Sequence, residues 1–385
     1  MTDHKKTKQT RAISAEIGSD IPFKAVAPPL YMTSTYNWPG FEQKGPFDYG
    51  RTVNPNRTGL AQALSDLEGG AGGVITASGM AAIDLVFNLF DSSALIIAPH
   101  DCYGGTHRLL THRAKQGRMQ VEFVDMGDSK ALKKALKRKP ALVLVETPSN
   151  PLMRIVDITK ISKAAHAAGA LVMCDNTFLS PARMQPLALG CDFVIHSTTK
   201  YINGHSDVVG GVAIAKSAEH AEQLGWWANC IGVTGSPFDS YQTLRGLRTL
   251  FARMDIQEAN AMKLAKHLSK HDRVETVFYP GLKSHPQYRL AKRQQSGPGA
   301  MLSFEIKGGK PAVKAFVENL TLFQLAASLG GTESLICHPA TMTHRGMTDD
   351  AMEIAGIKQT LIRISVGMEH IDDQIADIEA AFTRI

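Results

Sequence analysis

Between residues 60 and 215 the chain repeatedly sets a short, wholly apolar run beside a stretch with helical spacing, and this alternation leaves few folds open. The runs at 95–98, 141–145, 170–174 and 193–195 have no polar alternation, and 212–215 is a further candidate. A strand that is apolar at every position is buried on both faces, which happens where helices cover a parallel sheet. The stretches 81–90, 131–138 and 158–168 supply helices between the runs. In such sheets ligands gather beyond the carboxyl ends of the strands, so the residues just after each run are the functional candidates.

The flanks read differently. Residues 1–60 are rich in Pro, Gly, Tyr and Asn with little periodicity, and predict an extended arm that packs on a neighbouring subunit. Residues 61–250 then form a large domain. From 251 to 385 a long helix (251–268), strands at 301–306 and 361–366, and helices at 312–318 and 371–382 predict a smaller α+β domain.

Composition narrows the function. The 42 Lys and Arg against 36 Asp and Glu give a net charge of +6, modest for 385 residues. The basic stretch 130–139 places Leu132 and Leu136 on one helical stripe, so its lysines form a wet face and no nucleic-acid partner is expected. The five cysteines are odd in number and lack a Cys-x-x-Cys pair, which argues against a disulfide framework and a zinc site. His267 and His271 fall four apart on a helix without a third ligand, so no metal is expected. The polar N-terminus and the lack of a long apolar run predict a cytoplasmic protein with no membrane contact.

Five features converge on one chemistry. The run 193–195 is followed by hydroxyl residues, among them Ser197 and Thr199, and then Lys200. An amine beside phosphate-binding hydroxyls is what a Schiff-base cofactor requires. Asp175, directly after 170–174, is placed to pair with a protonated pyridine nitrogen and strengthen an electron sink. Ser78 and Gly79 open a helix whose free amide groups suit a phosphate dianion. Tyr103, in a Gly-Gly loop, can cover a planar ring. Arg363, inside the apolar run 361–366, needs an anionic partner, either a structural carboxylate or that of a substrate.

Together with Asp-Tyr-Gly-Arg at 48–51, Ser-Gly-Met at 78–80, Glu-Thr-Pro-Ser-Asn-Pro at 146–151, Asp-Asn-Thr-Phe at 175–178, Ser-Thr-Thr-Lys-Tyr at 197–201 and Ser-Leu-Gly-Gly-Thr-Glu-Ser at 328–334, these features make the chain resemble a known family. It is that of the pyridoxal-phosphate enzymes of cysteine and methionine transsulfuration. The resemblance covers nearly the whole chain. It implies an α/β, aspartate-aminotransferase-like architecture of fold type I, with a mostly parallel sheet in the large domain. Lys200 would be the Schiff-base and proton-shuttling lysine, Asp175 would pair with the pyridine nitrogen, Tyr103 would stack on the ring, and Thr177 would be a further cofactor-binding residue. Ser78, Gly79, Met80, Ser197 and Thr199 would hold the phosphate from within the subunit, and Tyr49 and Arg51 from a neighbour, so a homo-oligomer, usually a tetramer, is implied. Asn150, Ser328 and Arg363 match substrate-carboxylate positions. Asp48 and Glu333 line the side where members differ in substrate, and Arg108 would be a remaining cation for a distal substrate carboxylate.

Asn-Gly-His-Ser-Asp-Val at 203–208 and Trp-Trp-Ala-Asn at 226–229 resemble the branch that joins cysteine to an activated homoserine ester. That branch carries a second arginine directly after that of the arm, and Thr52 stands here instead. One cation fewer for a distal carboxylate leaves O-acetylhomoserine, or elimination from cystathionine, as alternatives to a succinyl ester. A sulfhydrylase would use the same cofactor set.

Overall fold

The computed structural model describes residues 6–385 and contains two sheets. The first has seven strands: β1 (Gly72–Thr76), β2 (Leu95–Pro99), β3 (Gln120–Val124), β4 (Leu142–Glu146), β5 (Leu171–Asp175), β6 (Phe193–His196) and β7 (Gly211–Ala215), in the order β1-β7-β6-β5-β4-β2-β3. Strands β3, β2, β4, β5 and β6 run parallel, and β7 lies antiparallel to both of its neighbours. The second sheet is β8 (Val274–Phe278), β9 (Met301–Ile306), β10 (Gln324–Leu325), β11 (Leu335–Cys337) and β12 (Leu361–Ser365), in the order β10-β11-β12-β9-β8. This is a mixed α/β architecture with a mostly parallel first sheet, as the resemblance implies.

Alternation along the central strands sends side chains into two cores. Ile96, Leu142, Leu144, Met173 and Phe193 pack beneath Ile83, Val86 and Leu110 of the helices on one face. Their neighbours Ile97, Val143, Val145, Val172 and Val194 join a larger cluster that continues to Phe304, Ile362 and Ile364 of the second sheet. Each wholly buried Leu or Ile contributes about 1.5–3 kcal/mol relative to exposure, so this sheet is a stiff platform for whatever its strand ends carry. The 19-residue helix Leu250–Leu268 lies against both β9 and the C-terminal helix Ile371–Phe382.

Several boundaries differ from the sequence expectation. The arm is not wholly extended: it begins with a helix, Lys8–Ser14, and the helix Pro55–Glu68 starts inside its last residues, capped by Asn54, which accepts from Asn56 N and Arg57 N. Elsewhere the arm exposes large apolar side chains, with Phe23 87% and Phe41 91% exposed. The Gly-Gly segment after Tyr103 is not a loop but the start of the helix Gly104–Lys115. His267 and His271 share the Glu379 carboxylate at 2.6 and 3.6 Å, and the His271 ring stacks on Phe382. They therefore dock the last helix, and His271 lies beyond the end of the helix Leu250–Leu268 and not on it as expected. No helix among the described residues is long and apolar enough to cross a membrane.

Candidate active site

The carboxyl ends of β4, β5 and β6 open into a cavity of about 290 Å³, walled on its far side by residues 327–329, Thr343 and Arg363 from the second half of the chain. Its lining includes Ser78, Gly79, Met80, Tyr103, Asn150, Asp175, Thr177, Ser197, Thr199, Lys200, Ser328 and Arg363. The fold thus gathers into one space twelve residues that the sequence offers as separate candidates.

Lys200 follows β6 on a turn and points its Nζ at Ser328 Oγ, 3.0 Å away. Burial, then the nearby Arg363 cation, pushes its amine down to about 8. The neutral, nucleophilic form is thereby accessible near neutral pH.

Asp175 ends β5. Both hydrogen bonds to its carboxylate fall on Oδ1, from Thr177 N at 3.0 Å and Thr177 Oγ1 at 2.6 Å. Thr177 Oγ1 in turn accepts from Ser197 N at 2.9 Å, which ties the β5 and β6 ends together. Burial raises the Asp175 carboxyl, while the Thr177 bonds and then His196 pull it down.

Ser78 caps the helix Gly79–Phe87, its Oγ accepting from Ala81 N at 3.2 Å. A Cβ at Gly79 would come within 2.7 Å of Ser197 Cβ, so only glycine lets this helix end approach the hydroxyl segment. The result is a cradle of free amide groups and the Ser197 hydroxyl, suited to a dianion. Thr199 Oγ1 donates to Gly210 O at 3.2 Å and accepts from Gly210 N at 3.0 Å, which orders the loop behind the cradle.

The Tyr103 ring lies back over Gly105, where a Cβ would meet its Cε1 at 2.5 Å. Arg363 is 3% exposed and donates to Asn150 Oδ1 at 2.9 Å and Ser328 O at 3.0 Å. Its Nε has no partner, and among the described residues no carboxylate pairs with it. The structural salt bridge that the sequence leaves open is therefore not formed. A buried guanidinium bonded only to neutral oxygens is a receptor for an anion.

Two contributors escape sequence reasoning. Glu146 lines the cavity and accepts from Tyr103 N at 2.8 Å and Asn150 N at 3.3 Å, so it fixes both residues at once. Burial, then Asp175, pushes its carboxyl well above the usual carboxylate range. His344 donates from Nε2 to Asn150 O at 3.1 Å, and burial followed by Arg363 pushes it down to about 4. Glu146 opens a motif at 146–151 that the sequence analysis quotes without giving this residue a role, and nothing in the sequence signalled His344.

The remaining candidates lie outside the cavity. Tyr49 and Arg51 border a separate recess with Arg57 and Gly235, where Arg51 donates to Asn229 O and Oδ1. Thr52 Oγ1 also faces Asn229 Oδ1, at 3.4 Å. Asp48 is paired with Lys44 at 2.8 Å, and that bond chiefly holds its carboxyl low. Glu333 accepts from Ser206 Oγ. Arg108 is exposed, with its guanidinium against Gly346.

Comparison with known proteins agrees with this geometry. The profile of a family described as Cys/Met metabolism PLP-dependent enzyme matches residues 9–383. Cystathionine gamma-synthase of Escherichia coli strain K12 is 51% identical, with 98% of each chain covered. Cystathionine beta-lyase of Lactococcus lactis subsp. cremoris strain MG1363 is 44% identical over 98% of this chain and 99% of the lyase. The crystal structure of cystathionine gamma synthase from Xanthomonas oryzae pv. oryzae, in complex with aminoacrylate and cysteine, superposes with a TM-score of 0.98 at 51% identity, covering 99% of this chain and 98% of that one.

Proposed function

The chain belongs to the Cys/Met metabolism PLP-dependent enzyme family, and from that premise we propose that it performs γ-replacement, joining L-cysteine to an O-acyl-L-homoserine to give L-cystathionine. Its cofactor is pyridoxal 5'-phosphate. The observation that carries the reading is the convergence on one cavity of a depressed lysine amine, a strand-end carboxylate and a buried, carboxylate-free arginine. The choice of replacement over elimination leans on the greater identity to the two synthases than to the lyase.

The donor set fits the group. The Gly79 helix end, with Ser78, Met80, Ser197 and Thr199, would hold the phosphate. Asp175, its Oδ1 occupied by Thr177, would offer its other oxygen to the ring nitrogen, and Tyr103 would cover the ring face. When bound, the cofactor supplies an electron sink for charge developing at the substrate's Cα and Cβ. Arg363, steadied by Asn150 and Ser328, orients the substrate by its α-carboxylate. Lys200 Nζ takes the proton from Cα and returns one as the reaction closes, a task that its depressed basicity favours. Tyr49 and Arg51, at the exposed arm, would reach the phosphate of a neighbouring copy, in a homo-oligomer working in the cytoplasm. Arg108, Asp48 and Glu333 would face the departing group. The domain division at 60 and 250 is part of the same proposal.

Elimination is the second reading, favoured by Thr52 where the synthase branch carries arginine and by the 44% identity to a lyase. Initial rates with O-succinyl- and O-acetyl-L-homoserine, each with and without cysteine, and with cystathionine alone, separate the two. Cystathionine formed from an ester and cysteine is the expected result. Oxo acid released from cystathionine, with no synthesis from either ester, would make the protein a lyase.

The Lys200 amine also sets a pH dependence. For a lysine lowered from 10.5 to about 8, the fraction able to attack an aldehyde rises with pH and levels off above that value. Uptake of pyridoxal phosphate by the cofactor-free chain, followed by visible absorbance, should therefore accelerate with pH to a midpoint near 8. A midpoint near 10 would contradict the assignment of that environment to Lys200.

A further inference from the structure

Asn150 lines the cavity and is held at three points. Its N donates to Glu146 Oε1 at 3.3 Å, its Oδ1 accepts from Arg363 Nη1 at 2.9 Å, and its carbonyl oxygen accepts from His344 Nε2 at 3.1 Å. A guanidinium only donates, so the amide must turn Oδ1 toward it, and Nδ2 bonds to none of the described residues. A free amide donor beside a carboxylate-free arginine makes a two-part receptor for a carboxylate. The proposed chemistry uses Arg363 and Asn150 but gives no part to His344, an imidazole only 1% exposed.

His344 belongs to the segment between β11 and the helix Asp349–Ala355, and that segment is pinned to its surroundings. His338 Nε2 donates to Gln359 O at 3.0 Å, and His344 N donates to Pro339 O at 2.9 Å. A Cβ on Gly104 would come within 2.8 Å of Thr343 O, so the segment seats directly on the residue after Tyr103. The imidazole is fixed at both nitrogens. A carbonyl only accepts, so Nε2 carries the hydrogen toward Asn150, and in the neutral ring Nδ1 accepts from Thr343 Oγ1 at 2.9 Å. We propose that His344 is a positioning residue for the substrate's α-carboxylate, holding the Asn150 backbone so that Nδ2 and the Arg363 guanidinium address the same anion. Without this bond Asn150 is held from its N–H side alone, by Glu146, and its amide is free to turn away from Arg363.

The inference rests on the reading of Arg363 as receptor of the substrate carboxylate, and a pair of ligands separates the two. Titrating the holoenzyme with L-alanine and with ethylamine, the same amine without its carboxylate, and following the bound cofactor's visible absorption, isolates the carboxylate's share. A glutamine at 344 can place a donor where Nε2 lies, whereas an asparagine reaches only the place of Nδ1. His344→Asn should therefore weaken L-alanine about tenfold and ethylamine less than about twofold, as for a lost hydrogen bond that serves a charged group. His344→Gln should stay within about threefold of the parent for both ligands. With an O-acyl-L-homoserine, His344→Asn should raise KM about tenfold and leave kcat within about threefold. In an Asn150→Ala background it should add less than about twofold, because the amide it positions is gone. Equal weakening of both ligands, weakening of neither, or losses that multiply in the double variant would overturn the proposal. Should Arg363→Lys leave L-alanine binding unchanged, the reading of Arg363 fails instead. The parent protein supplies a test that does not depend on His344→Asn folding. In holoenzyme carrying isotope-labelled histidine, the His344 Nε2–H resonance, assigned by its loss in His344→Gln, should shift on adding L-alanine and not ethylamine; a resonance indifferent to L-alanine would refute the link.

Discussion

Replacing Lys200 by alanine is expected to lower kcat/KM about ten-thousandfold, the upper end of what a positioned acid–base group contributes. The loss should be almost entirely in kcat, because the groups proposed to bind the substrate carboxylate, Arg363 and Asn150, do not depend on the amine. Lys200 makes a hydrogen bond to Ser328 Oγ and is only half-buried, so Tm should shift by no more than a few degrees, as for removal of one modest hydrogen bond. Steady-state kinetics beside a thermal melt checks both parts. A variant that keeps a tenth of the parent activity would remove Lys200 from the chemistry.

Arg363→Ala should cost roughly a hundredfold in kcat/KM, carried mainly by KM, in line with the few kcal/mol lost when a buried, hydrogen-bonded charge partner is removed. Arg363→Lys should recover little of this. A lysine is a point charge and cannot bond Asn150 Oδ1 and Ser328 O while presenting a planar fork to a carboxylate. A second consequence follows from charge. Arg363 helps to depress the Lys200 amine, so in Arg363→Ala the midpoint of cofactor uptake should move above 8. Unchanged KM for every amino-acid substrate would show that the arginine serves structure alone.

The sequence revealed those parts of the fold whose burial is complete. Strands β2, β4, β6 and β7 are buried at every position, and β5 at all but its two ends; they appear as unbroken apolar runs. Strands β1, β3 and β8 escaped notice for the opposite reason, and β10 and β11 because two and three residues are too short to show a pattern, even though β11 is wholly buried. β1 opens with Gly72 and Gly73, β3 is an edge strand carrying Gln120 and Glu122, and β8 is an edge strand with Glu275 and Thr276 exposed. Edge strands bury one face at most, so their apolar signal is diluted. Helix starts were misplaced by a residue or two where a cap, such as Ser78, begins the helix before its apolar stripe does.

For the site, strand-end chemistry was legible because Lys200, Asp175 and Tyr103 each follow a buried run. What could not be read is proximity between distant segments. Glu146 neighbours Asp175 only through parallel register, and His344 meets Asn150 only through the second half of the chain. Arg363 was expected to need an anion, but its neutral partners Asn150 and Ser328 emerge only from packing. The arm residues Tyr49 and Arg51 lie apart from the cavity, in a separate recess, and their role at a neighbour's phosphate belongs to the proposal.

Borohydride reduction of the yellow holoenzyme, followed by peptide mapping by mass spectrometry, tests the central assignment most directly. The phosphopyridoxyl mass should appear on the peptide containing Lys200 and on no other lysine; its appearance on a different lysine, with Lys200 unmodified, would contradict the account of the cavity given above.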